Sequence, residues 1–265
     1  MKPINSGLVF NIIASERYKP FAEVTKESIL RYYPGAQILI QEPTSDKAWV
    51  STQHESETAN VLASRPACIL DLFEQGYHTV VHLGADVVFY TDPRSFISNN
   101  VGSIAAAPHL LDLPRTANES RWISLTGILN SDVVIYRNYP ETLAFLKWQK
   151  QMLAEVCASD VHNGHFYDQQ YLQMAMTLPS FCLIEDVGVN VAYYNMHEEG
   201  RPLRREDGLH CFQFSGYDIK RPLTLSKYNL NPKLQTLQAT KLLLDYRERL
   251  IKAGLKINVE APKEA

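Results

Sequence analysis

The stretch Tyr77-His78-Thr79-Val80-Val81-His82-Leu83-Gly84-Ala85-Asp86-Val87-Val88-Phe89-Tyr90-Thr91-Asp92-Pro93 decides the fold. It starts just after Gly76, where a helical pattern stops. Val80 and Val81 are β-branched and the run is mostly apolar, which reads as a strand buried on both faces, as in a parallel sheet. Asp86 breaks the run near its carboxyl end, Val87 to Tyr90 resumes it, and Asp92-Pro93 closes it as a turn. A lone carboxylate is costly to bury unless it meets a cation or hydrogen-bond donors. The carboxyl ends of strands are where open α/β sheets bind ligands. Asp is also a common turn residue, so a plain turn between two strands stays open for Asp86.

Working outward, Gly7 to Ala14 reads as a first buried strand, with Ser15 a candidate N-cap. Tyr18 to Tyr33 has helical spacing (Phe21, Val24, Ser28, Ile29, Tyr32), Pro34-Gly35 ends it, and Ala36 to Ile40 is a second strand. Thr44 to Asn60 is polar and reads as loop with a short element. Val61 to Gln75 reads as a helix with Leu62, Cys68, Ile69, Leu72 and Phe73 on one face, and Arg65-Pro66 in its first turns, where Pro is tolerated. Downstream, Gly102 to Ala107 is a short strand, and Pro108 to Trp122 is an aperiodic loop long enough to be functional. Thr126 to Tyr136 returns to strand, and Tyr139 to Val156 is an amphipathic helix. Asp168-Gln169 follows a Gly/His loop at a helix start, where Asp168 can serve as an N-cap. Phe181 to Ile184 is a strand, and His197 to Gly208 is a dense charged run, either a solvated face or a lid over a ligand. Lys233 to Lys252 is a terminal helix. Alternation of this kind gives an α/β fold with a mixed, mostly parallel central sheet flanked by helices. Residues 1–255 read as one domain and 256–265 as a loose tail.

Composition narrows the function. A chain of 265 residues with 45% hydrophobic residues can bury a sizeable core. Its formal net charge of −3 gives no global basic field for nucleic acid. An anionic ligand therefore has to be met by local cations, a metal or helix N-termini. The cysteines Cys68, Cys157, Cys182 and Cys211 are widely spaced, which argues against zinc; Cys68 and Cys182 sit in apolar contexts as buried thiols. The chain shows no cleavable leader and no membrane-spanning run, so a reduced cytoplasmic setting is expected, with peripheral contact at the inner face of a membrane left open.

Leu83-Gly84-Ala85-Asp86-Val87 resembles the Asp-X-Asp segment of GT-A-fold glycosyltransferases, in the group of glycogenin and the bacterial galactosyltransferases (family 8-like), whose members typically read Leu-Asp-Ala-Asp-Val. Here the last Asp is present and the first is Gly84. The blocks Asn130-Ser131-Asp132-Val133, Asp168-Gln169 and Gln213-Phe214-Ser215-Gly216…Lys220-Arg221-Pro222 resemble the family's Asn-Ser-Gly-Val, Asp-Gln and His-Phe-X-Gly-X-X-Lys-Pro blocks in the same order. Asp132 stands where the family has Gly, and Gln213 where it has His.

The resemblance implies a Rossmann-like nucleotide-diphospho-sugar transferase that moves a sugar from a nucleoside-diphosphate donor, UDP-sugar first, to a glycan or glycolipid hydroxyl. Surface polysaccharide or lipopolysaccharide assembly is the setting it suggests. It implies Asp168 and Gln169 at the reacting sugar, and Ala14, Ser15, Tyr18, Arg65, Asp86, Asn130, Ser131, Ser215, Gly216, Lys220 and Arg221 around the donor. It also implies a divalent metal, Mn²⁺ or Mg²⁺, on Asp86 with Gln213 as a neutral ligand; a metal-free site with a basic clamp is the alternative. A sugar-nucleotide-binding protein without catalysis and a nucleotidyltransferase stay open as other classes, although no Gly-rich Lys/Arg signature stands near the N-terminus.

Overall fold

The computed structural model describes residues 7–43, 56–229 and 236–257. In chain order the elements are β1 (Leu8–Ile13), α1 (Lys19–Tyr32), β2 (Ile38–Gln41), α2 (Glu57–Glu74), β3 (Thr79–Leu83), β4 (Val87–Phe89), α3 (Arg94–Asn99), β5 (Ile104–Pro108), α4 (Ala117–Thr126) and β6 (Leu129–Arg137). They continue as α5 (Pro140–Glu155), β7 (Ser159–Asp160), β8 (His165–Phe166), α6 (Tyr167–Leu172), β9 (Phe181–Leu183), β10 (Val191–Ala192), β11 (Cys211–Gln213) and α7 (Leu237–Lys252).

Six strands form the main sheet in the order β2-β1-β3-β6-β5-β9. β6 runs antiparallel to β3 and β5, while β1–β2, β1–β3 and β5–β9 pair in parallel, so the sheet is mixed and mostly parallel as expected. Its two faces carry separate clusters. Val80 packs with Ile69, Leu72, Phe73, Phe145 and Leu146 on the side of α2 and α5. Val81 and Leu83 pack with Phe10, Ile12, Ile29, Phe89 and Phe96 on the other side. Alternate residues of β3 thus feed both clusters, and each fully buried side chain of this size contributes about 1.5–3 kcal/mol.

After Leu83 the chain leaves the main sheet. Gly84, Ala85 and Asp86 turn, and β4 joins a small second sheet in the order β10-β11-β4, antiparallel to β11. The turn is tied down from three sides. Gly84 N donates to Asp132 O at 2.9 Å, Phe214 N donates to Asp86 O at 2.9 Å, and Thr25 Oγ1 donates to Ala85 O at 2.7 Å. Asp86 therefore does lie in a turn between two strands, and that turn joins two sheets at the carboxyl end of β3.

Several sequence expectations are corrected. α2 begins at Glu57, not Val61, because Ser56 caps it by accepting from Ala59 N at 3.1 Å. Pro66 is then interior rather than first-turn, and it lacks the N–H that would reach back to the Leu62 carbonyl. Residues 44–55 of the expected polar loop lie outside the described residues. The loop expected through Trp122 contains α4, capped by Thr116, which accepts from Glu119 N at 3.1 Å. α4 buries no residue, so it has no apolar period to detect, although Thr116-Ala-Asn-Glu119 carries the spacing of a capping box. The terminal helix starts at Leu237 with Thr236 as its cap; residues 233–235 and 258–265 of the expected helix start and tail lie outside the described residues. Cys68, Cys157 and Cys211 are buried free thiols, and Cys182 is partly exposed. No helix among the described residues is long and apolar enough to cross a membrane.

Candidate active site

A cleft of about 240 Å³ opens at the carboxyl ends of β1 and β3. Its base is Arg65, Gly84, Ala85, Asp86 and Asp132. One wall is Ala14, Ser15, Tyr18 and Phe21, where β1 passes into α1. The opposite wall is Phe214, Ser215, Gly216 and Tyr217 with Lys227 and Tyr228. Gly216 has φ +75°, and a Cβ there would stand 2.5 Å from the Tyr228 ring and 2.6 Å from Ser226 Oγ. Only glycine lets the 226–228 turn lie this close. Lys227 N donates to Gly216 O at 2.9 Å, which holds the Lys227 segment at the cleft.

Beneath the base lies a charged cluster. The Arg65 guanidinium donates from one nitrogen to Asp168 Oδ2 at 2.7 Å, Ser131 Oγ at 2.6 Å and Ser131 O at 3.2 Å, and from the other to Asp132 Oδ1 at 2.5 Å. Arg65 is 8% exposed and Asp168 3%. Burial opposes the Arg65 charge, but Asp168 and Asp132 outweigh it and hold the group protonated. Burial raises the Asp168 carboxyl, against the pull of Arg65. Asp86 is pushed up to about 7 by burial and by the neighbouring Asp132 carboxylate. Two polar atoms of the lining, Ser15 Oγ and Arg65 Nε, are buried and have no protein partner. Unpaired buried polar atoms in a cleft lining are what a polar ligand would satisfy.

A second network runs away from Asp132. Gln213 Nε2 donates to Asp132 Oδ2 at 2.5 Å, while Gln213 Oε1 accepts from Asn130 Nδ2 at 3.1 Å and Tyr194 Oη at 2.7 Å. Asn130 Oδ1 accepts from Asp132 N at 2.8 Å. Gln169 Nε2 donates to Thr126 O at 2.8 Å. Farther out, buried Glu198 accepts from Leu111 N and Asp112 N at 2.7 Å each and pairs with Arg201 at 2.8 Å. The charged run His197 to Gly208 is therefore in part an internal strut, not wholly a solvated face.

Of the residues singled out in the sequence, Ala14, Ser15, Tyr18, Arg65, Asp86, Ser215 and Gly216 line the cleft. Asn130, Ser131, Asp168 and Gln213 stand behind it and hold one another or its base, while Gln169 bonds the Thr126 carbonyl at the end of α4. Asp168 is not an N-cap: it sits in the first turn of α6 after Tyr167 at φ +49°, and its side chain faces Arg65. Lys220 and Arg221 do not line the cleft; both are exposed, and Arg221 pairs with Asp218 at 3.1 Å. The cleft's second cation, besides Arg65, is Lys227, which lies beyond the matching block and which sequence spacing missed. Asp132, treated in the sequence as a misplaced glycine, is the other omission. The signal for it was available: a carboxylate gained in one block and lost in another.

Among the described residues, no three His, Cys, Asp or Glu side chains converge on one point. The donor set that fits a divalent ion is the Asp86 and Asp132 carboxylates, with the remaining ligands left to a phosphate-bearing ligand and water. Gln213 turns its amide N–H₂, not its oxygen, toward Asp132, so it adds no ligand in this arrangement.

No protein-family model and no curated protein matches the chain. Solved structures do. The galactosyltransferase LgtC, solved with donor and acceptor sugar analogs, is 13% identical with a TM-score of 0.51, over 92% of this chain and 95% of that one. A glycosyltransferase involved in glycosylation of the major capsid of PBCV-1 is 13% identical with a TM-score of 0.53, over 78% and 91%. The bifunctional glycosyltransferase WbbM is 11% identical with a TM-score of 0.56 over 94% of this chain, which spans 50% of WbbM. The chain has the GT-A fold of these glycosyltransferases, with the mixed central sheet and flanking helices described above.

Proposed function

We propose that the protein is a glycosyltransferase that takes a nucleoside-diphosphate sugar and transfers the sugar to an acceptor hydroxyl. The observation that carries this is the cleft itself. At the carboxyl end of β3, on a fold shared with glycosyltransferases, it joins an acidic base (Asp86, Asp132) to a cation at its wall (Lys227) and two unpartnered polar atoms (Ser15 Oγ, Arg65 Nε).

In this reading the nucleoside lies along Ala14, Ser15 and Tyr18, where Ser15 Oγ is free to bond it. Lys227, on the glycine-permitted turn, faces the diphosphate. A divalent ion held by Asp86 and Asp132 would supply charge neutralisation for the leaving diphosphate. Transfer breaks the bond between the anomeric carbon and the diphosphate oxygen, forms one to the acceptor oxygen, and releases the acceptor hydroxyl proton. Asp168 acts through Arg65, which it fixes in the cleft base, and Gln169 acts through the Thr126 carbonyl it holds; both position the site from behind. A UDP-sugar donor and a glycan or glycolipid acceptor are the first to try.

The test is release of nucleotide from UDP-, GDP-, dTDP- and CDP-sugars, with Mn²⁺ or with EDTA, together with melting in the matching free nucleotides. The expected result is slow release of the nucleoside diphosphate from one donor, and stabilisation by about 2.7 kcal/mol at a hundredfold excess of that nucleotide over its Kd. Binding without release would make the protein a sugar-nucleotide binder, pyrophosphate release would make it a nucleotidyltransferase, and no melting shift with any nucleotide would overturn the donor site.

A further inference from the structure

Positions 84 and 132 share one volume. A Cβ built on Gly84 would stand 2.7 Å from Asp132 Cγ, 2.8 Å from its Cβ and 2.9 Å from Oδ1. Real side chains do not approach so closely, so only one of the two positions can carry a side chain in this backbone. The two are also joined directly, since Gly84 N donates to Asp132 O at 2.9 Å. Both line the cleft, and Asp86 follows Gly84 by two residues.

We propose that Asp132, reaching across from β6, supplies the acidic side chain that the 84–86 turn lacks, and that with Asp86 it makes nucleoside-diphosphate binding depend on a divalent cation. This rests on the donor site proposed above. The carboxylate stands on β6, beside the turn that follows β3, and lines the same cleft. In its new place it is fixed by Arg65 at 2.5 Å and by the Gln213 amide at 2.5 Å. The Cβ space that Gly84 leaves is what admits it.

The charge of the cleft gives the reason for a cation. Its lining carries Arg65 and Lys227 against Glu57, Asp86 and Asp132, and Asp168 touches Arg65 from behind. An added diphosphate brings further negative charge against the two carboxylates of the base. Carboxylate and phosphate oxygens are the ligands that Mg²⁺ and Mn²⁺ prefer, and each can complete its shell with water. Loss of either the carboxylate or the cation should therefore lower affinity for the diphosphate.

The experiment is an exchange of the two positions. UDP binding is measured by calorimetry, with Mn²⁺ and with EDTA, for the wild type, Asp132→Asn, Asp132→Gly, Gly84→Asp, and the double variant Gly84→Asp/Asp132→Gly. Bound Mn²⁺ is counted separately by electron paramagnetic resonance in the presence of UDP. In the wild type, Mn²⁺ should tighten UDP by about tenfold or more. Asp132→Asn keeps the shape and should lose most of that gain and the UDP-dependent bound Mn²⁺. Gly84→Asp alone should melt lower, because it overfills one volume. The double variant should recover both the melting temperature relative to Gly84→Asp and the Mn²⁺ gain relative to Asp132→Gly.

Three results would overturn the proposal. One is UDP binding that Mn²⁺ leaves unchanged in the wild type, which keeps the donor site and removes the acidic pair. Another is a double variant no better than Asp132→Gly while UDP still binds it. The third is a wild type that binds none of UDP, GDP, dTDP or CDP under either condition, which removes the donor site as well.

Discussion

Replacing Arg65 by methionine tests the charged cluster most directly. The guanidinium is the sole cation touching Asp168 among the described residues, and it also holds Asp132. The side chains of Arg65 and Asp168 are 9% and 4% exposed, so the Asp168 carboxylate left by the substitution cannot turn to water. Removing one partner of a buried pair costs about 3–5 kcal/mol, because the other charge is stranded. Methionine fills much of the volume, so little of the loss should come from a cavity.

The loss should depend on pH with a definite sign. Burial already raises the Asp168 carboxyl above its ordinary value, with Arg65 pulling the other way. Without Arg65 its folded-state pKa rises further above the unfolded value of about 4. The folded variant then holds a proton that the unfolded chain gives up, and its stability falls by about 1.4 kcal/mol per pH unit from near 4 until the folded-state pKa is passed. Urea unfolding should thus show a penalty that is small at pH 5 and grows to about 3–5 kcal/mol by pH 8. Adding Asp168→Asn should remove most of that slope. A cost below about 1 kcal/mol, equal at the two pH values, would refute the claim that Arg65 and Asp168 are a buried pair holding the cleft base.

Two further outcomes are expected. Lys227→Ala should weaken nucleoside-diphosphate binding by about tenfold, the scale of one charge-assisted contact, whereas Lys220→Ala and Arg221→Ala should leave it unchanged; calorimetry on the three variants checks this, and equal losses would return the phosphate role to the matching block. His210 donates toward Asp186 at 3.3 Å, which raises the His210 pKa and lowers that of Asp186. The histidine's share of that stability is present below its unfolded pKa of about 6.5 and lost as pH rises through the raised folded value, so His210→Gln should flatten thermal stability as pH rises above about 6.5, by no more than ~1 kcal/mol for a partly exposed pair.

Much of the fold was legible because buried strands advertise themselves. Val80-Val81, Ile12-Ile13 and Val133-Val134 are apolar on successive residues, the pattern of a strand covered on both faces. α4 escaped notice because it packs no residue into the core, and hydrophobic period is the main signal of a helix. In the site, motif spacing pointed to residues on or directly beside regular elements: Arg65 on α2, Asp86 in the turn after β3, and Asp168 on α6. It failed where chain geometry replaced spacing. Lys227 reaches the cleft by a turn folded over Gly216, and no count of residues from Ser215 reveals that approach. Asp132 was legible as a departure from a pattern, but its closeness to Gly84, in the turn after β3, shows only in the folded chain.

The partners of Arg65 are also distant in sequence, which bears on assembly. They lie 66, 67 and 103 residues farther along the chain, at Ser131, Asp132 and Asp168. Closing loops of that length costs entropy before any contact repays it, and contacts so distant in sequence slow folding. β3 can pair with β1 and be covered by α2 while Arg65 still has no carboxylate beside it. The guanidinium thus meets Ser131 and Asp132 only once β6 docks, and Asp168 only once α6 docks. A half-folded chain that has built β1, β3 and α2 alone would keep that arginine hydrated, and with it an open seam along the edge of β3 where β6 belongs.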